Sequence, residues 1–261
     1  MAAMFVASVR SEWLKTRRSL TTWVVVGAAC FVPAIVLLIR LTRPASLPAL
    51  YRTTDFWMRL WISLWESMSL MVLPLTIIVL VSLVTQIEYR NNTWKQLHAS
   101  PQPLGRIFFA KLAVIVALVV ELFVCFNVAI YLLAMLPAWI RGDVDAPTAP
   151  IPVRYFLWRN VSFFLDALPI VGLQYLLALR FRSFVIPLGA GLALWIAALG
   201  GLPWEFNYVI PYSYPAIDYT LDVPSRVSHQ LPASTRWLAT AWFVALTAAG
   251  YGLYVTRRDR G

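Results

Sequence analysis

Six uninterrupted apolar runs set the main constraint on how this chain can fold. Each holds roughly 20 residues, the length that a helix needs to cross a hydrocarbon core about 30 Å thick. None shows the short alternating segments of outer-membrane strands. The runs occupy residues 21–39, 64–84, 112–136, 161–179, 184–202 and 237–255. The sequence therefore predicts an all-α polytopic membrane protein with six transmembrane helices.

The composition excludes soluble and disordered classes of protein. Hydrophobic residues make up 60% of the 261 residues and charged residues only 13%, whereas soluble domains average roughly 45–50% and 25%. A disordered chain would be poor in aromatic residues, but this one has 12 Trp and 14 Phe. The net charge of +10 could indicate nucleic-acid binding. Because the basic residues lie between apolar runs, we expect membrane lipid around the chain and no nucleic-acid partner.

The distribution of basic residues predicts the orientation in the membrane. Six spans place both termini on the same side. Lysine and arginine are denser in the short segments of that side, which is the pattern of cytoplasmic loops. It also carries all the lysines, Lys15, Lys95 and Lys111. Both termini are therefore predicted to be cytoplasmic.

The segments outside the spans belong to one transmembrane domain, residues 1–261. We expect an interfacial arm at 1–20, a cytoplasmic coupling segment at 85–111 and an external segment at 203–236. At about 100° per residue, the apolar side chains of the arm form one stripe, namely Phe5, Val6, Val9 and Trp13. This pattern predicts an amphipathic helix lying on the membrane. The alternative is an ordinary basic flank of the first span.

Aromatic residues outside the spans suggest contact with the membrane interface. Trp57, Trp61 and Trp65 recur at every fourth residue, and a belt of interfacial aromatic side chains explains this spacing. The external segment is broken by prolines and carries further aromatic residues. They are Trp204, Phe206, Tyr208, Tyr212, Tyr214 and Tyr219. We expect the short helical pieces of this segment to lie at the interface as well.

No catalytic or metal-binding motif is found in the sequence. The phosphate-binding loop and the common hydrolase and zinc-protease motifs are absent. The histidines, His98 and His229, are predicted on opposite sides of the membrane. We therefore expect no catalytic residues, no metal ligands, no cofactor bound by this chain and no enzymatic activity of its own.

Carboxylates in or near the apolar runs are candidates for a translocation path. They are Glu66, Glu121 and Asp166. A charge at the centre of a bilayer costs about 2.5–3.5 kcal/mol on insertion scales, which suggests a role for residues that stay there. Three interpretations remain open: contact with substrate, a proton relay, or a carboxyl group hydrogen-bonded between helices.

Small residues recur at every fourth position of the fifth span. They are Gly189, Ala193, Ala197 and Gly201. This spacing lets two helices approach closely in lipid. The sequence leaves open whether the partner helix belongs to this chain or to another subunit.

The most specific signal follows the second span. Residues 88–101 read EYRNNTWKQLHASP, and Arg106 and Lys111 come before the third span. Together with the basic arm SEWLKTRR at 11–18, the six spans and the long external segment, this order of features resembles the permeases of type 2 ABC exporters. The arm, the TWK stretch at 93–95 and the IPYSYP stretch at 210–215 are most similar to the bacteriocin-immunity and antibiotic-efflux branch.

This resemblance implies a coupling helix between the second and third spans that contacts a separate ATP-binding cassette ATPase. The residues placed at that contact are Glu88, Arg90, Thr93, Trp94, Lys95 and His98. ATP and Mg would bind to the ATPase subunits, and a second permease, identical or homologous, would complete the complex. The segment could instead be a solvated basic loop without a partner.

The implied function is export of an amphipathic or apolar substrate, such as an antibiotic, a peptide or a lipid-like molecule, across the bacterial cytoplasmic membrane. One alternative is a proton-coupled secondary transporter that uses Glu121 and Asp166. That class predicts an inverted repeat between the two halves of the chain, and the sequence shows none. A membrane scaffold or an intramembrane enzyme is the third class considered.

Overall fold

The computed structural model describes residues 2–17, 19–90, 103–141, 144–181, 183–222 and 233–256. Within these ranges the chain forms helices and connecting turns without any strand, so the predicted all-α class is confirmed. The helices are α1 (Ala2–Arg17), α2 (Thr21–Thr42), α3 (Leu47–Tyr51), α4 (Phe56–Ser67), a π-helical turn (Met68–Val72), α5 (Leu73–Arg90), α6 (Leu104–Ile140), α7 (Val153–Arg180), α8 (Val185–Gly200), α9 (Tyr214–Asp222) and α10 (Thr235–Thr256).

Most of these helices have the length and composition of membrane spans. In the described residues, five helical stretches meet that requirement: α2, α4 with α5, α6, α7 and α10. The helix α8 is apolar but has only 16 residues, which gives a rise of about 24 Å, less than the hydrocarbon core of a bilayer. The polytopic architecture of about six spans is therefore confirmed, with one short member.

The second span is continuous but not uniform. Its two halves, α4 and α5, join through the π-helical turn at Met68–Val72. Such turns are rare and are often found at functional sites. The indole N–H of Trp195 donates a hydrogen bond of 2.9 Å to the Leu70 carbonyl in this turn, which ties α8 to the middle of the second span.

The tryptophan stripe of α4 lies in the core and not in an interfacial belt, so that expectation is wrong. Trp57, Trp61 and Trp65 are at most 4% exposed. Trp65 stacks on Phe163 of α7 with 4.3 Å between ring centroids, and Trp57 donates a hydrogen bond of 2.9 Å to the Ala149 carbonyl. The spacing identified one face of a helix correctly, but α6 and α7 cover that face instead of lipid.

The chain after α8 returns into the bundle, and we call residues 203–222 the re-entrant segment. Trp204 and Phe206 are about half exposed, which fits the predicted interface. Residues 211–220 are all buried, so the interfacial placement of Tyr212, Tyr214 and Tyr219 is wrong. The helix α9 packs against α7, α10 and the π-helical turn. A buried tyrosine is tolerated where its hydroxyl finds a partner, as Tyr214 does on the Tyr208 carbonyl at 2.7 Å.

Candidate functional site

The three carboxylates predicted for a translocation path have different surroundings. Glu66 in α4 and Glu121 in α6 are half-buried. Asp166 in α7 is completely buried. The charged groups that act on Asp166 are Asp218, Arg236 and Arg159, and neither of the other two predicted carboxylates is among them.

Asp166 belongs to a charge cluster of four residues, Arg159, Asp166, Asp218 and Arg236, between α7, α9 and α10. Arg159 Nη1 lies 3.1 Å from Asp218 Oδ2, and Thr235 Oγ1 donates a hydrogen bond of 3.5 Å to Asp218 Oδ1. Buried charges persist in proteins when they are paired as Arg159 and Asp218 are. Among the described residues, neither carboxyl oxygen of Asp166 has a hydrogen-bond partner.

Aromatic rings complete the surroundings of the two arginines. The guanidinium carbon of Arg159 lies 4.8 Å from the ring centroid of Phe163, and that of Arg236 lies 4.5 Å from Trp158. A cation over an aromatic face gains electrostatic attraction, and the gain grows when water is excluded. The cluster therefore holds α9 between two spanning helices by charge pairing and by contact with rings.

Sequence reasoning found Asp166 but missed its partners. None of Arg159, Arg236 and Asp218 was singled out from the sequence. One signal was available, because Arg159, Ser162 and Asp166 share one face of α7 at helical spacing. The pairing with Asp218 could not be read from spacing, since α9 reaches α7 only through the return of the chain.

A second polar network fixes the tip of the re-entrant segment deeper in the bundle. Tyr212 donates a hydrogen bond of 2.5 Å to Gln174 Oε1. Gln174 Nε2 donates to the Pro187 carbonyl at 2.9 Å and to Ser82 Oγ at 3.2 Å. Burial raises the pKa of the Tyr212 hydroxyl, so it remains a neutral donor. This network connects α5, α7, α8 and the re-entrant segment at one point.

Gly191 makes room for this network. A Cβ atom at this position would lie 2.6 Å from Gln174 Oε1 and 3.0 Å from two side-chain carbons of Ile78. The packing face of α8 therefore contains Gly191, with Pro187 and Ala198 also buried. It is not the face that the small-residue spacing indicated.

The predicted small-residue stripe lies on another face of α8. Gly189, Ala193 and Ala197 are exposed, and Gly201 is half-buried. A Cβ atom at Gly189 would meet nothing within 4 Å, whereas one at Gly201 would lie 3.0 Å from the Ala197 carbonyl oxygen. No described part of this chain covers the stripe around Gly189, so of the two alternatives the described residues favour a partner helix on another subunit.

At the opposite end of the bundle the arm α1 docks on the beginning of α6. Its buried side chains are Ser8, Glu12 and Thr16, whereas Phe5 and Val6 of the predicted apolar stripe are exposed. The arm is a helix as predicted, but the side that meets the protein combines these polar residues with Val9 and Trp13 of the predicted stripe, which pack against the core. Its apolar residues Phe5 and Val6 are left for the membrane.

A buried lysine explains this orientation of the arm. Lys111 of α6 is only 3% exposed, and its Nζ lies 3.5 Å from Glu12 Oε2, while Lys15 pairs with the other carboxylate oxygen. Burial works against ionisation of Glu12, but the ammonium groups of Lys111 and Lys15 outweigh it and hold the pKa of Glu12 below its usual value. The ionised Glu12 therefore supplies the countercharge that a buried lysine requires.

The structure describes only part of the predicted ATPase contact. Glu88 and Arg90 are in the last turn of α5, and α6 begins at Leu104. The other residues of the predicted contact, Thr93, Trp94, Lys95 and His98, lie outside the described residues.

For metal binding, the described part of the chain contains no cluster of three or more His, Cys, Asp or Glu side chains that could hold an ion.

One comparison with known proteins gives a match. Residues 8–198 match the sequence model of a family described as ABC-2 family transporter protein. The match runs from the arm through most of α8 and includes the coupling segment. No curated protein matches the sequence. The resemblance to type 2 ABC permeases is confirmed at the level of the family, and the bacteriocin and antibiotic branch stays a prediction.

Proposed function

Because this chain belongs to the ABC-2 family of transporter proteins, we propose that it is the permease of an exporter powered by separate ATPase subunits. The family match over residues 8–198 carries this proposal. An ABC-2 permease is a multi-pass membrane subunit, and the apolar helices of this chain meet that description. We further propose that the substrate is amphipathic or apolar, that it leaves across the bacterial cytoplasmic membrane, and that both termini are cytoplasmic.

The ATPase contact is proposed at the coupling segment, residues 85–111. This segment continues α5 and leads into α6, so a push on it would act on two spans at once. Ser82 near the end of α5 accepts a hydrogen bond from Gln174, and Gln174 accepts one from Tyr212 of the re-entrant segment. Displacement of α5 would therefore strain the polar network that fixes this segment. Rigid-body movement of packed helices is an established way to carry such a change.

The exit for substrate is proposed at the re-entrant segment. Its buried residues fill the space between α7, α10 and the π-helical turn. A path through this half of the bundle requires the segment to move, and the charge cluster resists that movement while it is intact. In this proposal Asp166 helps to hold the closed state and does not transfer a proton.

A second permease is proposed at the small-residue stripe of α8. Gly189, Ala193 and Ala197 are exposed, and small residues at this spacing favour close helix contacts in lipid. A cysteine at Ala193 in a background with Cys30 and Cys125 replaced should cross-link to a second permease in membranes. A cysteine at Trp23 on the exposed face of α2 is the control. Equal cross-linking at both positions would contradict an interface at the stripe.

Reconstitution tests the energy source. We expect proteoliposomes with the permease and its ATPase subunits to move a fluorescent amphipathic dye or lipid analogue only when ATP is supplied. Transport driven by a pH gradient without an ATPase would contradict the proposal and would support the secondary transporter based on Glu121 and Asp166.

Charge reversal tests the contact with the ATPase. Lys95→Glu should reduce stimulation of the ATPase several-fold while the permease still inserts in the membrane. Arg52→Glu reverses an exposed charge in the loop between the first two spans and is the matched control, for which we expect normal stimulation. Unchanged stimulation in Lys95→Glu would show that the contact lies elsewhere.

A further inference from the structure

A groove of about 570 Å³ lies on the side of the bundle between α4, α6 and α7. This volume is within the range of small-molecule sites. Aliphatic side chains that are more than half exposed flank its opening, namely Val124 and Val128 on α6 and Leu157 and Val161 on α7. The groove is separate from the charge cluster and from the docked arm.

Stacked aromatic rings make the floor of the groove rigid. Trp61 stacks on Phe156 with ring centroids 5.1 Å apart, and Trp57 stacks on Tyr131 at 6.1 Å. Both tryptophans are buried, so their positions are fixed from below by the core. A groove with a rigid floor can hold a chain in one place, whereas a flat lipid-facing surface cannot.

The two side-chain amides in the lining, Asn127 and Asn160, leave no free N–H donor for an occupant. Asn127 Nδ2 donates to Asn160 Oδ1 at 2.7 Å and to the Phe123 carbonyl at 2.8 Å. Asn160 Nδ2 donates to Asn127 Oδ1 at 3.2 Å and to the Phe156 carbonyl at 2.7 Å. A side-chain amide has two N–H donors, and both are used in each residue. The groove therefore suits hydrocarbon better than a polar molecule.

The outer end of the groove adds a positive charge. The groove is lined by Ile151 and Val153 where α7 begins, and the neighbouring residue Arg154 is exposed. The first turn of a helix also favours negative groups through its dipole. This end lies away from the docked arm, in the half of the bundle where lipid headgroups of the opposite leaflet are found. Charge complementarity therefore selects an anionic headgroup at this end.

We propose that the groove holds one acyl chain of an anionic phospholipid, with the phosphate beside Arg154. The opening faces the hydrocarbon of the membrane, because α6 and α7 both have the length and composition of spanning helices. The acyl chain fills the space between the two helices beside their Asn127–Asn160 contact. It thereby adds dispersion contacts with both helices where they do not touch each other. This site does not depend on the substrate or on the direction of transport.

Photo-cross-linking in nanodiscs tests the position of the chain. The probe is phosphatidylglycerol with a diazirine in its acyl chain, used with the full-length protein and followed by peptide mapping. We expect labelling concentrated in residues 120–131 and 151–164. Val128→Trp fills the groove and should lower this labelling at least five-fold. Leu132→Trp, one turn further on α6, is exposed and outside the lining, and it should leave labelling unchanged.

The headgroup is tested with a matched probe. Phosphatidylcholine with the same diazirine should label the groove several-fold less, and Arg154→Gln should remove the difference between the two lipids. Arg52→Gln, which neutralises another exposed arginine, is the control and should keep it. Leu157→Trp provides a second way to fill the groove if Val128→Trp does not fold. Equal labelling by both lipids, or labelling spread evenly over α2 and α10 and insensitive to both tryptophan variants, would overturn the proposal.

Discussion

The arm α1 and the re-entrant segment both pack on the spanning helices without crossing the membrane themselves, and each contains a carboxylate paired with a basic residue. In the arm, Glu12 pairs with Lys111 of α6. In the re-entrant segment, Asp218 pairs with Arg159 of α7. The surroundings of the pairs differ, because the buried stripe of α1 is narrow and most of its other side chains are exposed, whereas residues 211–220 are all buried.

This difference separates a peripheral docked helix from a part of the core. Few buried contacts allow local detachment at a low free-energy cost, so the arm can detach while the rest of the bundle stays folded. The re-entrant segment cannot move without separating charges in a water-poor interior, and breaking a buried pair is strongly unfavourable. The same chemistry therefore gives a movable contact at one end of the bundle and a fixed one at the other.

The largest effect is expected from breaking the charge cluster. Arg159→Met leaves the carboxylates of Asp218 and Asp166 with Arg236 as the one remaining arginine of the cluster. We expect the free energy of unfolding to fall by about 3–5 kcal/mol, measured by thermal or denaturant unfolding of the purified protein. The double variant Arg159→Met with Asp218→Leu should recover most of this loss, because it removes the pair as a whole. If Arg159→Met is as stable as the wild type, the charge cluster does not hold the re-entrant segment in place.

A smaller effect is expected at the tip of the re-entrant segment. Gly191→Ala forces Gln174 away from its position beside Tyr212, and overpacking of this kind costs about 1–3 kcal/mol. Gly189→Ala is the matched control on the same helix, where the added Cβ meets nothing. It should be neutral or stabilising by up to about 1 kcal/mol, because alanine is the better helix former. Equal effects of the two variants would mean that the packing face of α8 is assigned incorrectly.

Breaking the arm contact should have a local effect. Glu12→Gln removes the carboxylate that pairs with the buried Lys111, at a cost of about 1–2 kcal/mol. Amide hydrogen exchange should become faster in Ala2–Arg17 and stay unchanged in Tyr214–Asp222. Ser11→Ala, at an exposed position of the same helix, should alter neither segment. Faster exchange in both Ala2–Arg17 and Tyr214–Asp222 would show that the arm contact and the re-entrant segment are not independent of each other.

The smallest effect is the pH dependence of the arm contact. The pKa of Glu12 lies below its ordinary value of 4.5 in the folded protein. Its ionisation therefore stabilises docking above pH 4.5, and this contribution is lost as the pH falls through the lower pKa of the folded state. The difference in arm protection between the wild type and Glu12→Gln should shrink as the pH is lowered below 4.5. A difference that stays constant over this range would exclude Glu12 as the titrating group.

The positions of the helices were predicted well from the sequence, and the faces that these helices bury were predicted less well. The arm was correctly predicted as a helix from its periodicity, and its apolar stripe was expected against the membrane. Val9 and Trp13 of that stripe instead pack against the protein core, beside the buried Ser8, Glu12 and Thr16. The need of Lys111 for a countercharge decides the orientation, and this need follows from its burial. Asp166 was correctly singled out by its position in an apolar run, yet its partner Asp218 comes from a segment that was expected at the membrane interface.

The stretches that form membrane-spanning helices could be identified from the amino-acid sequence. Run length and hydropathy decide this, because the thickness of the bilayer acts on each segment separately. The faces of those helices that meet protein became known from the three-dimensional packing, as at Trp61, Gly191 and residues 211–220. This is because lipid and the protein interior are both apolar. Hydrophobicity therefore gives no preference between them, and packing, hydrogen bonds and charge pairing make the choice.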